Sequence, residues 1–268
     1  MIKLKNIIFS DVDGTLLNSK HEITTKTLNI LKEKIASGTY FAIVSARSPS
    51  GIYPIIDTYN LKCFIISYSG ALILDENREV IFSKGMTKEN AQVILDFIEH
   101  NKLDLSWCVY SMDDWIVKSK LDPRIIREER IVKAKSKEGD LSLVTNNIVN
   151  KILCICNPDK ILSIEDALKN RFPDFSIVKS SPILLEIMEK GINKAEAIKI
   201  LCDKLNVPYS NTIAFGDNYN DLEMLKFVNK GFLMGNAPYE LKKVIYNHTL
   251  SNDEDGIYYA LKGLEKYE

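Results

Sequence analysis

The chain has 268 residues, of which 46% are hydrophobic and 26% are charged, and this composition is typical of a globular protein. The formal net charge of −1 argues against a general binder of nucleic acid or of anionic membranes. The first residues, MIKLKNIIFSD, hold too short an apolar run for a signal peptide, and no apolar stretch reaches the roughly 20 residues that span a bilayer. We therefore expect a cytoplasmic protein, and nothing in the sequence implies a protein partner.

Short apolar runs alternate with helical patterns in the first third of the chain. NIIF predicts a strand, and TTKTLNILKEKIASG predicts a helix that ends at Gly38. YFAIV and CFIIS predict two further strands, separated by a turn-rich loop that begins SARSPSG. Continuous apolar strands that alternate with helices indicate a parallel sheet covered on both faces.

The middle of the chain has a different pattern. LSWCVYSMDDWIVKS predicts a hairpin with an Asp-rich turn, followed by the helix PRIIREERIVKAK, the strand KILCIC, the helix DKILSIEDALKNRF and the strand FSIVKS. A βαβ crossover takes about 30 residues, and the distance from Arg47 to Lys194 is several times that. We therefore predict an α+β domain over residues 84–182, inserted into a core domain formed by residues 1–83 and 183–268.

The last third repeats the pattern of the first. NKAEAIKILCDKL predicts a helix, TIAF a strand, NDLEMLKF a helix, GFLMG a strand and GIYYALKGLEKY a closing helix. The predicted fold class is thus α/β, with a Rossmann-like parallel core sheet and an inserted α+β cap domain.

Neither the cysteines nor the histidines form a recognisable pattern. The cysteines are Cys63, Cys108, Cys154, Cys156 and Cys202. Their number is odd and no C-x-x-C occurs, so we expect small buried hydrophobic side chains rather than disulfides or a zinc site. No histidine has metal-ligand spacing with another histidine or a cysteine.

Polar side chains follow the apolar strands, where ligands bind in an open parallel sheet. They are Asp11, Asp13, Ser45, Arg47, Asp217, Asn220 and Asp221, and Lys194 joins them at the start of a helix. A cation in the first turn of a helix opposes the helix dipole by about 0.3–1 kcal/mol. This mild conflict points to an anionic neighbour of Lys194, although most lysines at such a position are simply solvated. We expect the four loops to bring these groups to one edge of the sheet.

A cluster of carboxylates is unstable without a cation, and hard oxygen ligands without thiol or imidazole favour Mg²⁺. The ion would leave room for a substrate phosphate, whose oxygens Lys194 and Ser45 would hold. Each feature also has a simpler explanation, since Asp13–Gly14 is a common turn, GDNYND could cap a helix and Arg47 could be a surface charge. Their order at successive strand ends favours the phosphate site.

Four motifs resemble, in order, the signatures of the haloacid dehalogenase superfamily: DVDGTLL, IVSAR, GINKAEAI and GDNYNDLEM. MGNAPYELK and SNDEDGI resemble the tail of its Cof-type phosphatase branch, whose type IIB α/β cap is inserted between the second and third motifs. The resemblance covers nearly the whole chain, and the cap is its least specific part. Three stretches depart from the pattern, because SAR stands where TGR is usual, NKAEA where SKGxA is usual and SYSGA where NGA is usual.

The resemblance implies a Mg²⁺-dependent phosphatase that hydrolyses small phosphorylated metabolites, such as sugar phosphates, through an aspartyl-phosphate. Asp11 would be the nucleophile, and Asp13 would be the general acid and then the general base. The side chains of Asp11 and Asp217 and the backbone carbonyl of Asp13 would hold the ion. Asp221 would act through water or by orienting the other ligands. The substrate contacts would come from Ser45, Arg47, Asn220 and Lys194, the last also being counted as catalytic.

Other functions stay open. A phosphosugar mutase would return the phosphoryl group to another hydroxyl, a receiver-like signalling domain would be phosphorylated on aspartate, and an idle member would serve as a binding module. By the family pattern, an acid at Asp13 points to hydrolysis or a mutase rather than to dehalogenation or ion pumping. Receivers are about half this length and carry their phosphorylated aspartate on a middle strand, whereas Asp11 follows the first strand, which argues against a receiver-like domain. All the acids and Lys194 are present, which argues against an idle member.

Overall fold

The computed structural model describes residues 5–132 and 134–265. The chain forms two compact units. The first unit contains residues 5–46, 53–81 and 193–265, and the second contains residues 47–52 and 82–192 without residue 133.

The first stretch of the chain belongs to the first unit, apart from residues 47–52 and 82–83. Its elements are β1 (Ile7–Ser10), α1 (Thr25–Ala36), β2 (Tyr40–Val44), α2 (Pro49–Tyr59), β3 (Phe64–Ser67), β4 (Leu72–Leu74) and β5 (Val80–Ser83). The helix α1 begins where the Thr24 side chain accepts a hydrogen bond from the Thr27 amide at 3.3 Å. It ends just before Gly38, whose φ of +95° favours glycine, so the predicted end of this helix is confirmed.

The middle stretch forms the second unit. Its elements are β6 (Met86–Thr87), α3 (Lys88–His100), β7 (Leu105–Ser111), β8 (Asp114–Val117), α4 (Pro123–Val132), β9 (Lys137–Glu138), β10 (Ile148–Val149), β11 (Lys151–Cys156), α5 (Ile161–Arg171), β12 (Phe175–Lys179) and β13 (Leu184–Glu189). The main sheet has the order β12-β13-β11-β7-β8-β9 and is antiparallel apart from the β8–β9 pair. A core that includes Ile94, Val109, Ile152 and Leu168 joins this sheet to α3 and α5.

The last stretch completes the first unit. Its elements are α6 (Lys194–Leu205), β14 (Thr212–Gly216), α7 (Leu222–Phe227), β15 (Lys230–Leu233), α8 (Tyr239–Lys242) and α9 (Gly256–Leu264). The sheet has the order β15-β14-β1-β2-β3-β4-β5, with β15 to β3 parallel and β4 antiparallel to β3. Strand β1 lies in its interior and is buried along its whole length, as its unbroken apolar run predicts. The carboxyl ends of β1, β2 and β14 therefore open onto one edge of the sheet.

The predicted α/β fold class, with a mainly parallel core sheet and a separate α+β unit, is confirmed. The prediction of a turn-rich loop after β2 is wrong in part, because Pro49–Tyr59 form the helix α2. Pro49 occupies the first helical position, where a proline loses no hydrogen bond, so a residue that breaks helices elsewhere begins this one. The additions to the predicted elements are strands β4, β5, β6, β9, β10 and β13 and helices α3 and α8.

All five cysteines are free and buried, which confirms that they form no disulfide framework. Cys154 and Cys156 lie two residues apart on β11, and both belong to the core of the second unit. Among the described residues, no helix combines the length and the apolar character that crossing a bilayer requires.

Candidate active site

Asp11 stands directly after β1, and its side chain is almost entirely buried. The Asp11 amide donates to the carbonyl of Phe215 on β14 at 3.0 Å, which continues the sheet pairing by one residue. The loop then turns through Gly14, whose φ is +82°. A Cβ atom at Gly14 would displace the Asp217 carboxylate, and the positive φ independently favours glycine here. Asp13, between these two positions, is exposed.

Lys194 is the first residue of α6, and it is only 2% exposed. Asn193 caps this helix, since its side chain accepts a hydrogen bond from the Glu196 amide at 2.8 Å. The Lys194 ammonium donates to Asp11 Oδ1 at 2.5 Å and to Asp221 Oδ1 at 2.6 Å. Burial alone would lower the pKa of Lys194, but the two carboxylates outweigh it and the pKa is raised, so the side chain stays charged.

Asp217 and Asp221 come from the loop and turn after β14. Asp217 Oδ1 accepts a hydrogen bond from the Thr15 hydroxyl at 2.7 Å. Asp221 is fully buried, and its Oδ2 accepts hydrogen bonds from the backbone amides of Asp217 and Asn218, each at 3.0 Å. Both oxygens of Asp221 therefore have internal donors, and this side chain fixes the loop that carries Asp217.

The carboxylates of Asp11, Asp217 and Asp221 meet around one point. One oxygen of each lies within 4.8 Å of the others. Burial raises the pKa of Asp11 to about 7; the Lys194 ammonium opposes this rise and the Asp221 carboxylate adds to it. Burial likewise raises the pKa of Asp217 to about 6, although the Thr15 hydrogen bond opposes the rise. One ammonium group does not balance three carboxylates, and this all-oxygen donor set fits a hard divalent cation such as Mg²⁺.

The remaining predicted site residues differ in their placement. Ser45 follows β2 and is buried; its amide donates to the Ile66 carbonyl at 2.8 Å. Asn220 is exposed in the 3₁₀ turn that ends at Asp221. Arg47 belongs to the second unit, where its Nη1 donates to the Gly51 carbonyl at 3.2 Å. The structure thus brings Asp11, Lys194, Asp217 and Asp221 into direct hydrogen-bond or carboxylate contact.

A left-handed turn supports the neighbouring strand ends. Tyr68, Ser69 and Gly70 have φ values of 50°, 54° and 119°. The Ser69 amide donates to the carbonyl of Ser45 at 2.9 Å, and Gly70 approaches the carbonyl of Asn193 so closely that a Cβ atom would not fit. The stretch SYSG therefore joins the end of β2 to the start of α6.

Three residues that orient the charged groups were not identified from the sequence. The Thr15 hydroxyl donates to Asp217, the Asn193 side chain caps the helix that begins at Lys194, and the Asn218 amide donates to Asp221. Asn193 had a usable signal, because asparagine directly before a helical pattern is a common N-cap. Thr15 lies within the motif DVDGTLL, but that motif does not reveal its partner Asp217, which is far along the chain.

The comparisons with known proteins agree with this geometry. A model of the haloacid dehalogenase-like hydrolase family matches residues 8–261. The chain is 36% identical over 251 residues to a Haemophilus influenzae protein named "Putative phosphatase", covering 93% of this chain and 94% of that protein. It is 27% identical over 256 residues to a Bacillus subtilis protein named 5-amino-6-(5-phospho-D-ribitylamino)uracil phosphatase, with 96% and 94% coverage.

The fold has solved counterparts. A haloacid dehalogenase-like hydrolase from Bacteroides thetaiotaomicron superposes with a TM-score of 0.88 at 30% identity, covering 97% of this chain and 99% of that one. The match of the family model extends over most of the chain and includes every residue of the carboxylate cluster. The chain therefore belongs to the haloacid dehalogenase-like hydrolases, in their Cof-type branch, and is a phosphoric monoester hydrolase.

Proposed function

We propose that the protein is a Mg²⁺-dependent phosphatase that hydrolyses small phosphorylated metabolites through an aspartyl-phosphate on Asp11. The observation that carries this proposal is the contact of Asp11 with Lys194, inside a cluster of three carboxylates at the end of β1. A carboxylate at this position can act as a nucleophile when its charge is compensated.

The first half of the reaction transfers the phosphoryl group to Asp11. An oxygen of the Asp11 carboxylate attacks phosphorus, and the bond between phosphorus and the ester oxygen breaks. Asp13, which is exposed beside the cluster, donates a proton to the leaving alcohol.

The second half releases phosphate. Asp13, now ionised, takes a proton from a water molecule, and the resulting hydroxide attacks the phosphorus of the aspartyl-phosphate. The Asp11 carboxylate leaves, and inorganic phosphate is formed. The same residue thus acts first as acid and then as base, which suits its access to solvent.

The metal site would be formed by the side chains of Asp11 and Asp217 and the backbone carbonyl of Asp13. When bound, Mg²⁺ neutralises charge on the carboxylates and on the phosphoryl oxygens. Asp221 uses its oxygens for Lys194 and for two backbone amides, so we assign it an orienting role. Lys194 favours the ionised form of Asp11, against the effect of burial, and holds its carboxylate in place.

We also propose that Ser45, Lys194 and Asn220 hold the phosphate oxygens and that Arg47 contacts the substrate. Ser45 and Lys194 are buried in the first unit, and Asn220 adjoins Asp221. The relative named for a phosphorylated ribitylamino-uracil supports a substrate that joins a phosphate to a sugar-like chain. Five buried free thiols suit a reducing compartment, so we place the protein in the cytoplasm.

Replacement of Asp11 tests the proposal. We expect Asp11→Asn to lower kcat for phosphate release by at least roughly 10³-fold in the presence of Mg²⁺, because the nucleophile is lost. Asp203→Asn, which changes an exposed carboxylate on α6, is the matched control and should keep wild-type turnover.

The assay should use a panel of sugar phosphates, nucleotides and cofactor phosphates, including the ribitylamino-uracil phosphate. Undiminished turnover in Asp11→Asn would refute the nucleophile assignment. NMR of the product sugars separates hydrolysis from a mutase reaction, because a mutase would yield an isomerised phosphate and little free phosphate.

A further inference from the structure

The chain after β15 lies along the loop that follows Asp11. We call residues 13–19 the Asp13 loop and residues 235–255 the tail segment. The tail segment contains the stretches GNA and SNDED, which have no role in the reaction described above.

Asn236 in the tail segment is fixed at both ends of its side-chain amide. Its Nδ2 donates to the carbonyl of Gly14 at 2.9 Å. Its Oδ1 accepts a hydrogen bond from the amide of Asn252 at 3.1 Å. The donor that faces Gly14 is therefore held in one orientation by a second part of the tail segment.

Two more contacts attach the tail segment to the Asp13 loop. The side-chain amide of Asn252 donates to the carbonyl of Leu17 at 2.9 Å. The carboxylate of Asp253 accepts a hydrogen bond from the Ser19 amide at 2.8 Å. The loop is thus bound at Gly14, Leu17 and Ser19, and the Gly14 contact is the one beside the reacting groups.

The carbonyl that Asn236 binds belongs to the peptide group between Gly14 and Thr15. That peptide group begins at the residue after Asp13, and the hydroxyl of Thr15 donates to Asp217 at 2.7 Å. Gly14 has a φ of +82° and no Cβ atom. Glycine allows the backbone more φ and ψ combinations than any other residue does, so the backbone is intrinsically flexible at this position. A hydrogen bond to its carbonyl restricts the rotation that would move Asp13 and Thr15 together.

We propose that Asn236 is a positioning residue for phosphoryl transfer, and that Asn252 keeps it in the required orientation. Asn236 acts by holding the Gly14–Thr15 peptide group, and through it Asp13 and the Thr15–Asp217 contact. This role rests on the proposed function. Without this bond the proton donor and Asp217 are correctly placed in a smaller share of molecules, so kcat falls while KM changes little.

The test compares Asn236→Ala with a matched control, Asn229→Ala. Asn229 is also exposed in the first unit and donates its side-chain amide to a backbone carbonyl, that of Ser210, at 2.8 Å. We expect Asn236→Ala to lower kcat for p-nitrophenyl phosphate about 2- to 12-fold, the range for loss of one hydrogen bond, with KM near the wild-type value. Asn229→Ala should keep the wild-type kcat.

Two further measurements do not depend on turnover. Hydrogen exchange, followed by mass spectrometry, should become faster in the Asp13 loop of Asn236→Ala and not in Asn229→Ala. Calorimetric titration with Mg²⁺ should show weaker binding to Asn236→Ala.

A second variant, Asn236→Asp, keeps the size of the side chain and the acceptor for the Asn252 amide but removes the donor to Gly14. Its kcat should therefore fall as that of Asn236→Ala does.

The outcomes separate the two proposals. Wild-type kcat in Asn236→Ala, or unchanged exchange in the Asp13 loop, would overturn the role of Asn236. A wild-type protein without Mg²⁺-dependent phosphatase activity would instead refute the proposed function, and hydrogen exchange would still decide whether Asn236 holds the loop.

Discussion

Lys194 and Asp221 form a fully buried ion pair, with the ammonium nitrogen 2.6 Å from Asp221 Oδ1. The same ammonium contacts Asp11, so one cation holds together a strand end and a loop that are distant in the sequence. A buried charge without its partner is costly, and the two carboxylates therefore depend on Lys194 whenever no metal is bound.

Lys194→Ala should destabilise the protein as well as inactivate it. Removing one partner of a buried ion pair typically costs about 3–5 kcal/mol, because the other charges stay buried. The free energy of unfolding in urea, measured without metal, checks this value. Lys199→Ala, which removes an exposed lysine from the same helix, should change stability by less than about 0.5 kcal/mol. Equal stability of the two variants would contradict the structural role of Lys194.

Mg²⁺ should stabilise the protein, and more so at higher pH. The folded-state pKa values of Asp11 and Asp217, about 7 and about 6, lie above the ordinary 3.8. In metal-free protein the two carboxyl groups therefore bind protons more tightly in the folded state than in the unfolded state. Their contribution to the free energy of unfolding is lost as the pH rises from the ordinary pKa of 3.8 through the folded-state values of about 6 and about 7. Mg²⁺ competes with the same protons, so its stabilisation grows over the same range.

Thermal unfolding with Mg²⁺ and with EDTA measures this effect. At a Mg²⁺ concentration of 100 times Kd the expected stabilisation is about 2.7 kcal/mol. The Mg²⁺-dependent rise in Tm should be larger at about pH 8 than at about pH 5, and Asp217→Asn should reduce it. A rise that is larger in acid, or no rise at all, would argue against a carboxylate metal site.

Gly14→Ala should abolish metal binding, and Gly38→Ala should not. Both glycines have positive φ values, +82° and +95°, so each alanine costs about 1–2 kcal/mol of backbone strain. Only at Gly14 does the added Cβ atom collide with Asp217, because nothing lies within 4 Å of the corresponding atom at Gly38. Calorimetric titration with Mg²⁺ distinguishes the variants. Equal Mg²⁺ affinities would show that Gly14 serves the backbone alone.

The cysteine thiols should be unreactive in the folded protein. Burial raises the pKa of Cys63, Cys108 and Cys156 to about 12 and that of Cys202 to about 11. The reactive thiolate is therefore scarce, and the side chains are also inaccessible. Iodoacetamide at about pH 8, followed by mass spectrometry, should modify no cysteine before unfolding and all five in denaturant. Rapid labelling of the native protein would contradict this burial.

The sequence predicted those parts of the fold whose signals are local. The apolar run before Asp11 predicted β1, and the cation at the start of α6 predicted an anionic neighbour, which the contacts of Lys194 with Asp11 and Asp221 confirm. These signals are readable because strand burial and helix dipoles act within a few residues.

The parts that sequence reasoning missed depend on tertiary contacts. Helix α2 contains Gly51 and Pro54, which suggest a loop when considered alone, yet the buried Ile52 packs this segment as a helix. Thr15 and Asn236 are ordinary polar residues in the sequence. Thr15 lies in the motif DVDGTLL and Asn236 in MGNAPYELK, but their partners are 202 and 222 residues away along the chain, so neither motif shows what these side chains contact.

Trapping the covalent intermediate tests the central claim most directly. The protein is mixed with phosphorylated substrate and Mg²⁺, quenched in acid within one turnover, and treated with borohydride, which reduces an aspartyl-phosphate to homoserine. Peptide mass spectrometry then identifies the modified residue. We predict homoserine at position 11 only when substrate and Mg²⁺ are both present; modification of a different aspartate, or turnover with residue 11 unmodified, would contradict the assignment of Asp11 as the nucleophile.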